Sequence, residues 1–263
     1  MGSLYCIFAR AADRAVIFRR GPTHQVRLIS WNMKDNSFEP GQWFNGRIYE
    51  RKSDLSPDGT KLVYFAAKHE PPIPTWVAVS SPPFLTAHLL WPKSGTYDGP
   101  SLFESANVLG LGVYSSDSDL TPRTGDQAPP GFSVVARPYL GYFYRREDHD
   151  RMVRDDWSVF AGEPKYRSDS DEAPVLYRKK IDSQFAMEMR AFNRVTHYGV
   201  RDANGNLIAL NADWADTRGG RMYFSRDNKL FQMEIGTADP VEIGDFTDMR
   251  FEEIAAPDWA KSW

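Results

Sequence analysis

Little in this sequence is set up for disulfide chemistry, membrane insertion or nucleic-acid binding. A single cysteine, Cys6, among 263 residues excludes an intramolecular disulfide. No stretch of about 18 apolar residues exists to cross a bilayer as a helix. The 32 Lys and Arg are outnumbered by 35 Asp and Glu, a formal net charge of −3, so the basic excess that phosphate backbones require is missing. The first residues lack a basic start followed by an apolar run, and no secretory leader is expected. Gly2 is a poor myristoylation signal because Cys6 stands where a small or hydroxyl residue is usual. The expectation is a soluble, cytosolic (cytoplasmic) protein, with neither nucleic acid nor membrane as partner.

Familiar catalytic signatures are missing as well. The chain has no G-x-S-x-G nucleophile elbow, no phosphate-binding G-x-x-x-x-G-K-[ST] loop, no H-E-x-x-H and no C-x-x-C. Gly110-Leu111-Gly112 lacks the third glycine of a dinucleotide fingerprint and lies between strand-like runs. Cys6 has the apolar neighbours Tyr5, Ile7 and Phe8, the setting of a buried packing residue. No metal, nucleotide or covalent cofactor is expected, and no catalytic residue is assigned.

What the chain does have is punctuation. Eighteen Pro and 19 Gly, spread along its length, favour short strands joined by turns over long helices. Pro57-Asp58-Gly59 leads into Lys61-Leu62-Val63-Tyr64-Phe65: proline presets φ, aspartate caps the turn and glycine takes the positive φ. Gly219-Gly220 before Arg221–Phe224, and Asp13-Arg14 before Ala15–Phe18, repeat the shape. Further hairpins are expected over 200–208 and between Met222 and Met233, turning at Asp227-Asn228. Leu28–Trp31 with Trp43-Phe44, and Leu89–Trp91 with Leu102-Phe103, each read as a strand, a loop and a return strand. Residues 182–193 are the best helix candidate, but Phe185, Met187 and Met189 alternate as a strand does, which leaves both readings open with strand preferred. Stretches 115–131 and 162–173 are polar and aperiodic, and are expected to be long loops.

Phe18 to Phe65 spans 47 residues, close to the period of a four-stranded propeller blade. The run Leu55-Ser56-Pro57-Asp58-Gly59-Thr60-Lys61-Leu62-Val63-Tyr64 resembles the blade motif of the TolB-like and WD-repeat-like β-propellers. No Gly-His pair precedes Asp213-Trp214, and 115–136 fits no blade. The resemblance implies an all-β chain, residues 1–263 forming a single propeller-like domain of about five antiparallel blades.

The densest mixture of aromatics, arginines and acids runs from Tyr142 to Trp157. Tyr142, Tyr144, Arg145, Arg146, His149 and Trp157 are the expected binding residues, because aromatic and arginine side chains dominate interface energetics. His69 and Trp76, on a Pro-rich loop after a strand, are possible neighbours. The expected function is a non-enzymatic binding module, of scaffold or immunity type, with another protein as partner. A glycoside hydrolase with a carboxylate pair, which leaves little sequence trace, is the alternative, as is a lectin-like binder of a small sugar-like ligand.

Overall fold

The computed structural model describes residues 2–21, 24–116, 118–123, 125–138, 147–161, 175–192, 195–235, 237 and 239–263. The described residues form five small sheets, one short α-helix and two single turns of 3-10 helix. Contacts group the chain into two compact units, one of Met1–Tyr5 with Phe143–Asp248 and one of Cys6–Tyr142 with Met249–Trp263.

The chain begins with a meander of β1 (Ser3–Phe8), β2 (Arg14–Arg20), β3 (Gln25–Asn32) and β4 (Ser37–Asn45), of which β2 to β4 lie in the Cys6–Tyr142 unit. β3 and β4 form the expected hairpin, with Arg27 opposite Trp43 and Val26 opposite Phe44. The second sheet holds β5 (Arg47–Ile48), β6 (Asp54–Leu55), β7 (Leu62–Ala67), β8 (Thr75–Ser80) and β9 (Leu89–Lys93), with β5 and β6 both pairing with β7. β7 reads Leu-Val-Tyr-Phe-Ala-Ala and is buried on both faces, so it has no polar alternation. Phe65, Val77, Trp91, Phe103 and Leu111 share one apolar cluster.

The turn into β7 is built as its sequence demands. Asp58 Oδ1 accepts from Ser56 Oγ at 2.6 Å and from the Thr60 N–H at 3.1 Å. Gly59 has φ of 74°, and a Cβ there would lie 2.8 Å from the Arg14 Cβ. Gly59→Val is therefore expected to cost about 1–3 kcal/mol, since a β-branched residue is strained at positive φ. Thermal melting checks this: an unchanged midpoint means that the turn tolerates a side chain.

The third sheet departs from expectation. β10 (Leu102–Ser105) and β11 (Val108–Val113) are antiparallel, but β12 (Ser133–Pro138) runs parallel to β11. Between β11 and β12 no strand occurs among the described residues, and a long connection is what a parallel return requires. The Leu89–Trp91 and Leu102-Phe103 runs, read as one hairpin, instead lie in different sheets. Buried Asp54 ties these two sheets together, its Oδ2 accepting from the Phe103 N–H at 2.8 Å.

The Phe143–Asp248 unit has a five-stranded meander of β13 (Trp157–Ala161), β14 (Val175–Lys180), β15 (Ala186–Phe192), β16 (Val195–Arg201) and β17 (Leu207–Leu210). A four-stranded meander of β18 (Trp214–Arg218), β19 (Arg221–Arg226), β20 (Lys229–Glu234) and β21 (Val241–Asp245) follows. Its turns are those anticipated: Gly219 and Gly220 have φ of 57° and 75°, and Asp227 and Asn228 of 53° and 60°. Two consecutive left-handed residues match the twist of a tight hairpin. Trp157, Tyr177, Met187, Met222 and Phe224 are buried in one cluster. The fold class is the expected one: all-β, in five small sheets, of which the third is three-stranded and mixed.

Candidate functional site

Residues 139–146, and with them Tyr142, Tyr144, Arg145 and Arg146, lie outside the described residues. Directly after them comes α1 (His149–Arg154). Six residues cannot hold a helix by their own hydrogen bonds; side chains fasten this one. The Asp148 carboxylate, 2% exposed, accepts a hydrogen bond from the Tyr5 hydroxyl at 3.2 Å. Arg151, 5% exposed, donates to the same hydroxyl and places its guanidinium 5.4 Å from the Tyr5 ring centroid. His149 Nδ1 is 3.1 Å from the hydroxyl of fully buried Tyr177.

The cluster from Tyr142 to Trp157 thus has an inner part. Trp157 is in the core, with Lys179 Nζ 6.0 Å from its ring and the same ammonium 2.9 Å from Asp216 Oδ1. His149 keeps partial exposure. His69 and Trp76 belong to the other unit. His69 is exposed, at φ of 60°, in a loop closed by the Lys68 and His69 N–H groups on the Pro74 carbonyl. Trp76 is half-buried and packs edge-on against Phe44 at 5.7 Å.

Register brings together residues that sequence reasoning missed. β13 carries a bulge between Val159 and Ala161, which leaves Phe160 without a cross-strand partner. A bulge re-aims the side chain it releases. Phe160 is 56% exposed, and the Arg178 guanidinium lies 3.6 Å from its ring centroid. Arg178 faces Glu188 across β14 and β15. Glu188 Oε1 accepts from Arg178 Nε at 3.0 Å and from Arg201 Nε at 2.7 Å, and its Oε2 accepts from Arg201 Nη2 at 2.9 Å. The Arg201 hydrogen bonds, against partial desolvation and with help from Arg178, hold the Glu188 carboxyl below its ordinary range. A carboxylate gripped by two arginines fixes both guanidiniums, and an exposed phenyl ring stacked on one of them is preorganised for contact.

A carboxylate pair is present as well. Asp213, an exposed residue just before β18, has its carboxyl pushed up, first by partial desolvation and then by the charge of Asp227 in the β19–β20 turn. Two carboxylates that sense each other's charge are one element of acid–base chemistry. Among the described residues, no group of three or more His, Cys, Asp or Glu side chains is placed to hold a metal ion.

No family model and no curated protein matches the sequence. Among solved structures, the uncharacterized protein lmo1340 from Listeria monocytogenes EGD-e is similar over 88% of this chain at 9% identity, with a TM-score of 0.25. The chain spans 62% of that protein's length, and a likeness at this level carries no argument about function.

Proposed function

We propose that the protein is a non-enzymatic, cytosolic binding module that recognises another protein through the segment after Tyr142 and through the exposed Phe160 on β13 with Arg178 on β14. The observation that carries this reading is the exposed Phe160 held 3.6 Å from Arg178, next in sequence to a helix fastened by Tyr5 and Tyr177. Stacked aromatic and arginine side chains on rigid elements bury much area while freezing few torsions. Tyr144, Arg145 and Arg146 extend the same chemistry in sequence. The turn at Pro57-Asp58-Gly59 further supports kinship with the TolB-like or WD-repeat-like propellers, which present partner-binding loops.

The second reading is the glycoside hydrolase, favoured by the raised Asp213 carboxyl beside Asp227. In it, Asp213 is the acid and Asp227 the second carboxylate.

Affinity capture with mass spectrometry, run in parallel on wild type and variants, separates the two. Arg145→Ala with Arg146→Ala is expected to leave melting nearly unchanged and to weaken the partner by about 2–4 kcal/mol, roughly 30- to 1000-fold. Phe160→Ala is expected to act in the same direction. Normal binding by the double variant places the site elsewhere, and its unfolding makes the cluster structural. Glycoside turnover lost on Asp213→Asn establishes the hydrolase instead.

A further inference from the structure

Residues 249–263 form no strand, yet they are held along the Cys6–Tyr142 unit by a series of side-chain contacts. Phe251 packs on Trp43 with ring centroids 6.0 Å apart. Glu252 Oε1 accepts from Arg27 Nη2 at 2.6 Å. The Ile254 carbonyl accepts from Gln42 Nε2 at 3.0 Å. Trp259 meets Phe84 edge-on at 5.4 Å, and Trp263 rests on His88 at 5.3 Å and on Phe132 at 4.8 Å.

The two sides of this contact are built differently. On the receiving side, Arg27 is 7% and Arg19 4% exposed; they face each other across β2 and β3, with guanidiniums 5.5 and 5.7 Å from the Trp43 ring. Two buried like charges side by side favour an anion, and burial together with Arg27 lowers the pKa of Arg19. On the docked side, Phe251 is 47%, Trp259 57% and Trp263 39% exposed, and the Glu252 side chain 59%. Between these exposed side chains the segment sends Ala256 and Ala260 into a small buried cluster with Phe84, so a basic and aromatic surface takes up a strandless segment through a few small and aromatic anchors, as a receptor takes up a linear motif.

We propose that the track of Arg27, Trp43, Gln42, Phe84 and His88 is a peptide-recognition surface. Its ligand is an extended protein segment with an aromatic–acidic step and downstream tryptophans. The chain's own residues 250–263 occupy it, and a partner segment of the same chemistry takes their place. The proposal rests on the binding-module reading but uses a different surface from the Tyr142 segment.

The test uses the full chain carrying Phe251→Ala, Trp259→Ala and Trp263→Ala, which removes the strap's aromatic anchors and leaves the residues of the track unchanged. The probe is a fluorescein-labelled synthetic peptide of residues 249–263, followed by fluorescence polarisation. It is expected to bind the triple variant at least tenfold more tightly than wild type, whose own strap competes. Adding Arg27→Ala to the triple variant is expected to weaken it at least tenfold. A folded triple variant that ignores the peptide, or that binds it equally well without Arg27, overturns the proposal. Should the triple variant not fold, hydrogen exchange on wild type decides: excess unlabelled peptide lowers the protection of 249–263, and unchanged protection overturns the proposal. Failure here leaves the Tyr142 reading standing, because that reading is tested separately by the Arg145→Ala, Arg146→Ala variant.

Discussion

Gly41→Ala is expected to cost about 3–5 kcal/mol, at the upper end of what a single added methyl does. A Cβ at Gly41 would stand 1.9 Å from the Pro83 carbonyl oxygen. That oxygen belongs to backbone and already accepts from the Gln42 N–H at 3.1 Å, so no rotamer change relieves the clash. Either β4 or the segment carrying Pro83 must move. The segment is held in turn, because the Gln42 side chain accepts from the Leu85 N–H at 2.8 Å and Tyr64 donates to the Leu85 carbonyl at 2.5 Å. Arg27 Nε also donates to the Gly41 carbonyl at 3.2 Å, so a shift of β4 disturbs the proposed peptide track as well. A chain of this size loses about 2–4 °C per kcal/mol, and calorimetry is expected to show a fall of roughly 10 °C. A midpoint within about 2 °C of wild type would mean that β4 and Pro83 do not approach as described.

Much of this fold was legible because its turns are local. Pro57-Asp58-Gly59, Gly219-Gly220 and Asp227-Asn228 each write their own backbone geometry into two or three residues. Sheet membership is not local in that sense. Nothing within Leu89–Trp91 or Leu102-Phe103 says that these strands pair with different neighbours, and the parallel approach of β12 is decided by the long connection before it. The site divides along the same line. Composition marked the stretch from Tyr142 to Trp157, but the split between its buried and exposed members depends on partners far away in sequence. Tyr5 is 143 residues from Asp148. Phe160 and Arg178 meet only because a bulge breaks the register between β13 and β14, and a bulge of this kind has no glycine to announce it.

Arg151 shows what the buried half of that cluster does. Arg151→Ala is expected to destabilise the Phe143–Asp248 unit by about 3–5 kcal/mol, the range for removing one member of a buried charged network. The guanidinium is 5% exposed and donates to the Tyr5 hydroxyl, which in turn donates to Asp148, itself 2% exposed. Its loss leaves a buried carboxylate with less positive potential around it and a phenol with one hydrogen bond fewer, in a medium that screens neither. Tyr5→Phe keeps both charges and removes only the bridging hydroxyl, so about 1–2 kcal/mol is expected. Arg154, on the same helix, pairs with its neighbour Asp155 at 2.9 Å nearer the surface, and Arg154→Ala is expected to cost less than about 1 kcal/mol. The order Arg151, Tyr5, Arg154 in denaturant midpoints at constant slope is the measurement. Equal, small effects for all three would mean that the network does not fasten α1, and would remove the rigid support invoked for the proposed surface at Phe160.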